Sequence, residues 1–244
     1  MKPPAILLAL TLEAFAGTTD DGVADAVYVE YGKSFAPWAR KVEVVEATGK
    51  LAVGSGVVFA DRWALTAAHV VEDAMTVSVD GNRVEAVYVH PQYDQSSVGW
   101  NDIAVLYCPA DFGLDYYPPL ADGEDKPGDL VTLAGYGATG KIATGHSKSD
   151  GLLRAGTNTI ERFERTIIVC HAESGSSPRE FVIAPGDSGG PLFVGAGQEA
   201  AIAGIHSFTS KVGTGPVRSR RGEETAHTRV SLFVDWIDAV RGQR

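Results

Sequence analysis

Cysteine is nearly absent: Cys108 and Cys170 are the only two in 244 residues. A disulfide-stapled scaffold is therefore excluded; the two thiols either form one bridge or remain as buried small hydrophobes. Positive charge is also scarce, with 21 Lys and Arg against 31 Asp and Glu and a formal net charge of −10. An acidic surface offers no counter-charge to a phosphate backbone or an anionic bilayer, which argues against nucleic acid and membrane as partners. Beyond residue 16 no apolar run approaches the ~20 residues of a membrane span. The His and Asp spacings form no metal-ligand motif, and neither a metal nor a cofactor is expected.

What is present is a chain that is 44% hydrophobic with 28 glycines spread along it. That suffices for one large domain or for two small barrels of about 100 residues each. At the N-terminus Lys2 precedes an apolar run at 5–12, and Ala14-Phe15-Ala16 has the small-x-small form of a cleavage site. Residues 1–16 are thus read as a signal peptide removed before Gly17, despite Pro3, Pro4 and Glu13, and the mature protein as secreted or periplasmic. Residues 17–36 are read as an N-terminal or activation segment, its acidic, polar start at 17–22 suiting a mobile end.

After Pro37 short apolar runs alternate with turn residues. Runs at 41–46, 51–59, 63–66, 75–79, 83–89 and 103–107 predict six strands over residues 37–112. Prolines 109, 118, 119 and 127 mark a linker, placed at 113–128. A second set at 129–136, 157–163, 166–170, 180–184, 191–194, 200–208 and 226–230 fills residues 129–244. Phe233, Trp236, Ile237 and Val240 then fall at helical spacing. The expected fold is all-β: two six-stranded antiparallel β-barrels with a cleft between them and a C-terminal helix, in a monomer.

The run VIAPGDSGGP at 182–191 is too rich in Gly and Pro for a helix or a central strand. It reads as a tight loop presenting Ser188 and a row of backbone N–H groups. A serine hydroxyl is a weak nucleophile unless a base and an orienting group accompany it. His69, in LTAAHV, stands where a strand ends in small residues; Asp102 opens the apolar run IAVL. A carboxylate there is largely buried and needs hydrogen-bonding partners, such as an imidazole N–H. Each residue alone has an ordinary structural explanation, but together they are the set that acyl transfer requires.

TAAHV around His69, NDIAVL around Asp102 and GDSGGP around Ser188, in that order, resemble the three signatures of the trypsin/chymotrypsin-like serine proteases. Trp63, His90-Pro91, Gly135-Tyr136-Gly137 and Asp235-Trp236-Ile237 are also similar to features of that family, and the match runs from about Pro37 to the C-terminus. The low cysteine count resembles its bacterial members. The resemblance implies a chymotrypsin-like double barrel that hydrolyses peptide bonds of proteins or peptides through an acyl-enzyme. It implies Ser188 as nucleophile, His69 as base, Asp102 as orienter, and the N–H groups of Gly186 and Ser188 as the oxyanion hole.

GDSGG also satisfies the G-x-S-x-G elbow of lipases. That fold needs an acid and then a histidine after the serine, and here Glu223 and Glu224 stand too close to His227 to serve from separate loops. The family's primary pocket falls on Val182, Thr209 and Thr225, beside Ser207 and Phe208 of the cleft strand. With no charge at its base and two β-branched walls, small apolar residues before the scissile bond are expected, as in elastase-like members. Asp187 corresponds to the acid that pairs with an N-terminal ammonium released by proteolysis. No IVGG-like run is present, and Val23 is the candidate terminus by spacing. A catalytically silent or latent, zymogen-like binding protein on the same scaffold is the alternative.

Overall fold

Runs rich in valine and isoleucine cannot pair their backbone groups alone, so each recruits a neighbouring run into a ladder. The computed structural model describes residues 17–96, 99–173, 175–195, 197–211 and 215–244, and the expected signal peptide lies outside them. The chain begins with β1 (Thr18–Thr19) and α1 (Asp25–Lys33). Then come β2 (Ala39–Glu46), β3 (Leu51–Ala60), β4 (Trp63–Thr66), α2 (Ala68–Val71), β5 (Ala74–Val79), β6 (Asn82–Arg83), β7 (Ala86–Val89) and β8 (Ala104–Tyr107). The second half comprises β9 (Leu130–Gly135), β10 (Thr139–Lys141), β11 (Gly145–Lys148), β12 (Arg154–Glu164), β13 (Ile167–His171) and β14 (Phe181–Val182). It ends with β15 (Pro191–Val194), β16 (Ala201–Lys211), β17 (Glu223–Arg229) and α3 (Val234–Arg241).

Six strands of the second half close into an antiparallel barrel in the order β12-β13-β17-β16-β15-β9. The first half does not close. It is a seven-stranded sheet, β6-β5-β2-β3-β4-β8-β7, with β6 and β7 as its two edges. This corrects the expectation of two six-stranded barrels. The run at 83–89, which reads as one strand in the sequence, bends at Val84 and Glu85: β6 pairs with β5, and β7 pairs with β8. Val84 N–H donates to the Val77 carbonyl and Glu85 N–H to that of Tyr107, so the bend is bonded to both sides of the sheet. The covalent chain crosses the gap between the edges, and no ladder among the described residues seals it.

A further small sheet, β11-β10-β1-β14, takes in the N-terminal segment. Thr18 and Thr19, in a stretch whose polarity suggests a mobile end, are buried. Thr18 lies opposite Gly140 and Val182, and Thr19 opposite Lys141 and Phe181. Their hydroxyls donate to the carbonyls of Ser219 and Gly140, which removes the cost of burying them.

α1, which the sequence does not signal, buries Tyr28 and Gly32. A Cβ at position 32 would stand 2.8 Å from the Leu153 carbonyl, so only glycine lets the helix approach β12 this closely. Arg154 on β12 is 1% exposed and donates to Asp25 of α1 and to Asp150, both at 2.7 Å. Arg154→Met keeps much of the bulk and removes both ion pairs; because the carboxylates left behind are 46% and 37% exposed, the expected cost is about 1–2 kcal/mol, measured by denaturant unfolding.

Hydrophobic cores lie within the seven-stranded sheet, where Val42, Val57, Leu65, Val105 and Leu106 meet, and inside the closed barrel around Leu133, Ile160, Ile168 and Leu192. α3 contributes Ile237 and Val240 to the first core. Cys108 belongs to the first core and Cys170 to the second, and both are free thiols. Burial pushes the Cys108 thiol up to about 11, away from reactivity.

Candidate active site

β4 ends at Thr66, and two buried alanines, Ala67 and Ala68, lead into the single turn of α2 that carries His69. Small residues there let the turn lie flat against the sheet. The His69 side chain remains 27% exposed, so one edge of the ring can meet a substrate. Its other edge faces Asp102, whose Oδ2 lies 2.7 Å from Nδ1, and His69 main-chain N–H donates to Oδ1 at 3.0 Å. Both carboxylate oxygens therefore hold one residue, fixing the ring's position and its orientation.

Asp102 follows Asn101, whose φ of +55° turns the chain into β8. It is 2% exposed, accepts a hydrogen bond from Ser207 Oγ, and its carbonyl accepts from Thr228 Oγ1 at 2.8 Å. Burial pushes the Asp102 carboxyl up, but the charge and hydrogen bonds of His69 with the Ser207 bond outweigh it, holding the carboxyl below its ordinary value. For His69 burial favours the neutral ring, and the Asp102 charge and hydrogen bond overcome it, raising the imidazole above its ordinary value.

The serine loop leans on the same elements. Ser55 on β3 donates its N–H to the Ser188 carbonyl at 2.8 Å and its hydroxyl to the Gly186 carbonyl at 2.9 Å. Gly189 has φ +84°, and a Cβ there would stand 2.1 Å from Thr66 Oγ1 and 2.9 Å from Ala67 N, two residues before His69. The glycine is thus required twice, for its backbone angle and for the close approach. Asp187, Gly189 and Gly190 donate their N–H groups to Ala184, His206 and Asp187 carbonyls. Among the described residues those of Gly186 and Ser188 have no acceptor, and Ser188 Oγ makes no hydrogen bond.

The remaining residues singled out in the sequence separate. Ser207, Phe208, Thr209 and Thr225 lie together where β16 pairs with β17, with Thr209 opposite Thr225. Thr209 Oγ1 donates to the Ile183 carbonyl at 3.1 Å, so the cleft strand is tied to the chain leading into the serine loop. Val182 is fully buried among Ile142 and Ala172. Val23 donates its N–H to the Asp20 carbonyl, while its own carbonyl accepts from Lys141 Nζ at 2.6 Å. Asp187 is held elsewhere, by the N–H groups of Gly137 and Ala184, both at 2.9 Å. Burial pushes its carboxyl up to about 7 against those two bonds. Ser55 and Thr228 are not legible in the sequence, because each is an ordinary strand residue whose partner is set by packing. Among the described residues no group of three or more His, Cys, Asp or Glu could hold a metal ion, and no helix is long and apolar enough to cross a membrane.

Comparison with known proteins agrees with this geometry. The family model described as Trypsin matches residues 30–237. Phenoloxidase-activating factor 3 of Holotrichia diomphalia is 28% identical over 243 residues, covering 82% of this chain and 68% of that protein. Chymotrypsin-like elastase family member 1 of Bos taurus is 27% identical over 210 residues, covering 75% and 76%. Among solved structures, HL collagenase shares the fold with a TM-score of 0.68 at 21% identity, covering 86% of this chain and 95% of that one. The scabies mite inactivated protease paralogue S-I1 does so at 0.64 and 21%, covering 86% and 96%. None of these comparisons indicates a bacterial origin. With most of its length matched by the family model, this few-cysteine chain belongs to the trypsin/chymotrypsin-like serine protease family.

Proposed function

We propose that the chain is a serine endopeptidase acting on proteins or peptides, with Ser188, His69 and Asp102 as its catalytic residues. The observation that carries this reading is the double hold of Asp102 on His69, with Ser207 on the same carboxylate and the serine loop packed on Thr66 and Ala67. The Asp102 carboxylate receives the Nδ1–H, which leaves Nε2 bare to take the Ser188 proton as Oγ attacks the scissile carbonyl carbon. The negative oxygen then receives the free N–H groups of Gly186 and Ser188, each worth ~3 kcal/mol to the transition state. Collapse of the intermediate expels the amine, which takes its proton from His69, and water hydrolyses the acyl-enzyme by the same steps.

Small apolar residues before the scissile bond fit a wall formed by the part-exposed Thr209, with the buried Thr225 opposite it on β17. Thr209→Gly is expected to raise kcat/KM for a Phe substrate relative to an Ala one by at least about tenfold. An unchanged ratio would remove Thr209 from the pocket. Removal of residues 1–16 and a secreted or periplasmic monomer belong to the same reading.

A latent, zymogen-like state is the second reading, favoured by Asp187, a buried carboxylate with two backbone donors and no ion-pair partner among the described residues. A new ammonium at Val23 would supply the charge, though cutting there would also detach β1. Intact mass after fluorophosphonate treatment, with N-terminal sequencing of the reactive species, tests both readings. One adduct on a chain starting at Val23 supports activation there; a reactive chain starting at Gly17 removes it. No adduct in any processed form overturns the peptidase reading.

A further inference from the structure

Behind the serine loop two imidazoles are sealed in the closed barrel. His206 on β16 and His227 on β17 are register partners, both 0% exposed, with their Nδ1 atoms 2.9 Å apart. The second nitrogen of His227 lies 2.9 Å from Thr225 Oγ1. That of His206 is buried and, among the described residues, makes no hydrogen bond of good geometry, although the Ala134 carbonyl faces the ring. Two nitrogens at this distance share one proton, so one ring is a neutral acceptor.

The pair stands where several parts of the site converge. The His206 main-chain N–H donates to the Gly190 carbonyl and its carbonyl accepts from Gly189 N–H, both at 2.8 Å, gripping the chain just after Ser188. The register shifts immediately after His206, and Ser207 is the unpaired extra residue whose hydroxyl reaches Asp102. Thr228, next to His227, donates to the Asp102 carbonyl. A bulge interrupts the ladder and leaves the extra residue without strand pairing of its own. The bond between the rings pins the strands beside that weak point.

We propose that His206 and His227 form a neutral imidazole pair that acts as a positioning device, holding the Ser207 bulge against Asp102 and the Gly189-Gly190 segment behind Ser188. Both rings are fully buried and act through the groups they hold, and the proposal rests on the peptidase reading above. Burial, reinforced for His206 by its partner, keeps both rings far below the ordinary imidazole value, so they stay neutral while His69 titrates. Asp102 and Asp187 are bonded to other groups and neutralise neither ring.

His227→Phe keeps a flat ring and removes both bonds. Its kcat should fall about 10- to 100-fold at nearly unchanged KM, and the low-field proton resonance of the His69–Asp102 bond should weaken or shift. His227→Asn, whose amide can still meet His206 Nδ1, should recover part of the rate. A folded His227→Phe protein with wild-type kcat and an unaltered resonance would overturn the proposal. In the unaltered protein, nitrogen NMR should show both buried rings neutral at about pH 6, where an ordinary imidazole is largely protonated. A buried ring carrying two protons there would overturn it whether or not the variants fold. Absence of acylation in the unaltered protein would instead sink the peptidase reading.

Discussion

The Ser188→Ala variant is expected to lower kcat/KM on a peptide substrate by about 10⁶-fold while leaving the fold intact. The two parts of this expectation have separate grounds. Ser188 is held through its main chain, by the Ser55 N–H on its carbonyl, and its hydroxyl bonds to nothing among the described residues. Deleting Oγ therefore removes no structural contact, and unfolding free energies should agree within about 0.5 kcal/mol. On the proposed mechanism the chemistry loses its nucleophile, and what remains is the contribution of binding and the oxyanion hole. Steady-state kinetics on purified protein checks the rate, with active-site titration to exclude traces of unaltered enzyme. A loss smaller than about tenfold would mean that another group attacks the carbonyl.

The second large effect belongs to Asp102→Asn, with an expected fall of about 10⁴-fold at neutral pH. An asparagine keeps the shape but offers one acceptor oxygen where the carboxylate serves three donors, the His69 N–H, the His69 ring and Ser207 Oγ. Its amide N–H₂, turned to Nδ1, would favour the tautomer with the proton on Nε2, which cannot accept from Ser188. The pH profile supplies an independent check. In the unaltered protein His69 is raised above its ordinary value of 6.5 by Asp102, against burial, so activity should be lost as pH falls through a midpoint above 6.5. Removing the negative charge leaves burial dominant, and the acid limb of the residual activity should move to lower pH. An unchanged limb would mean that another group governs it.

Much of the architecture is legible in the sequence. The helical spacing of Phe233, Trp236, Ile237 and Val240 anticipates α3, and runs such as 63–66 and 191–194 match β4 and β15 to the residue. Local chemistry explains that success, since period and turn residues act over a few positions. Closure of the first sheet escapes such reasoning for the opposite cause. Whether the run at 83–89 stays one strand depends on Val77 and Tyr107 competing for its backbone, and neither is visible from the run itself. α1 escapes it too, because only Tyr28 and Gly32 are buried, too few for a clear apolar stripe.

By itself the sequence determined which residues are the candidates for the proposed chemistry, because Ser188, His69 and Asp102 each sit in a short motif of glycines and small side chains that is recognisable without the fold. Tertiary structure alone decided who holds them. Ser55 stands 131 positions from the Gly186 carbonyl it bonds, Thr228 stands 126 from Asp102, and Ser207 stands 105 from the same aspartate. Only the closing of the barrel and the docking of the sheet bring such distant donors and acceptors into range, since a hydrogen bond forms over about 3 Å and carries no trace in the spacing of residues along the chain.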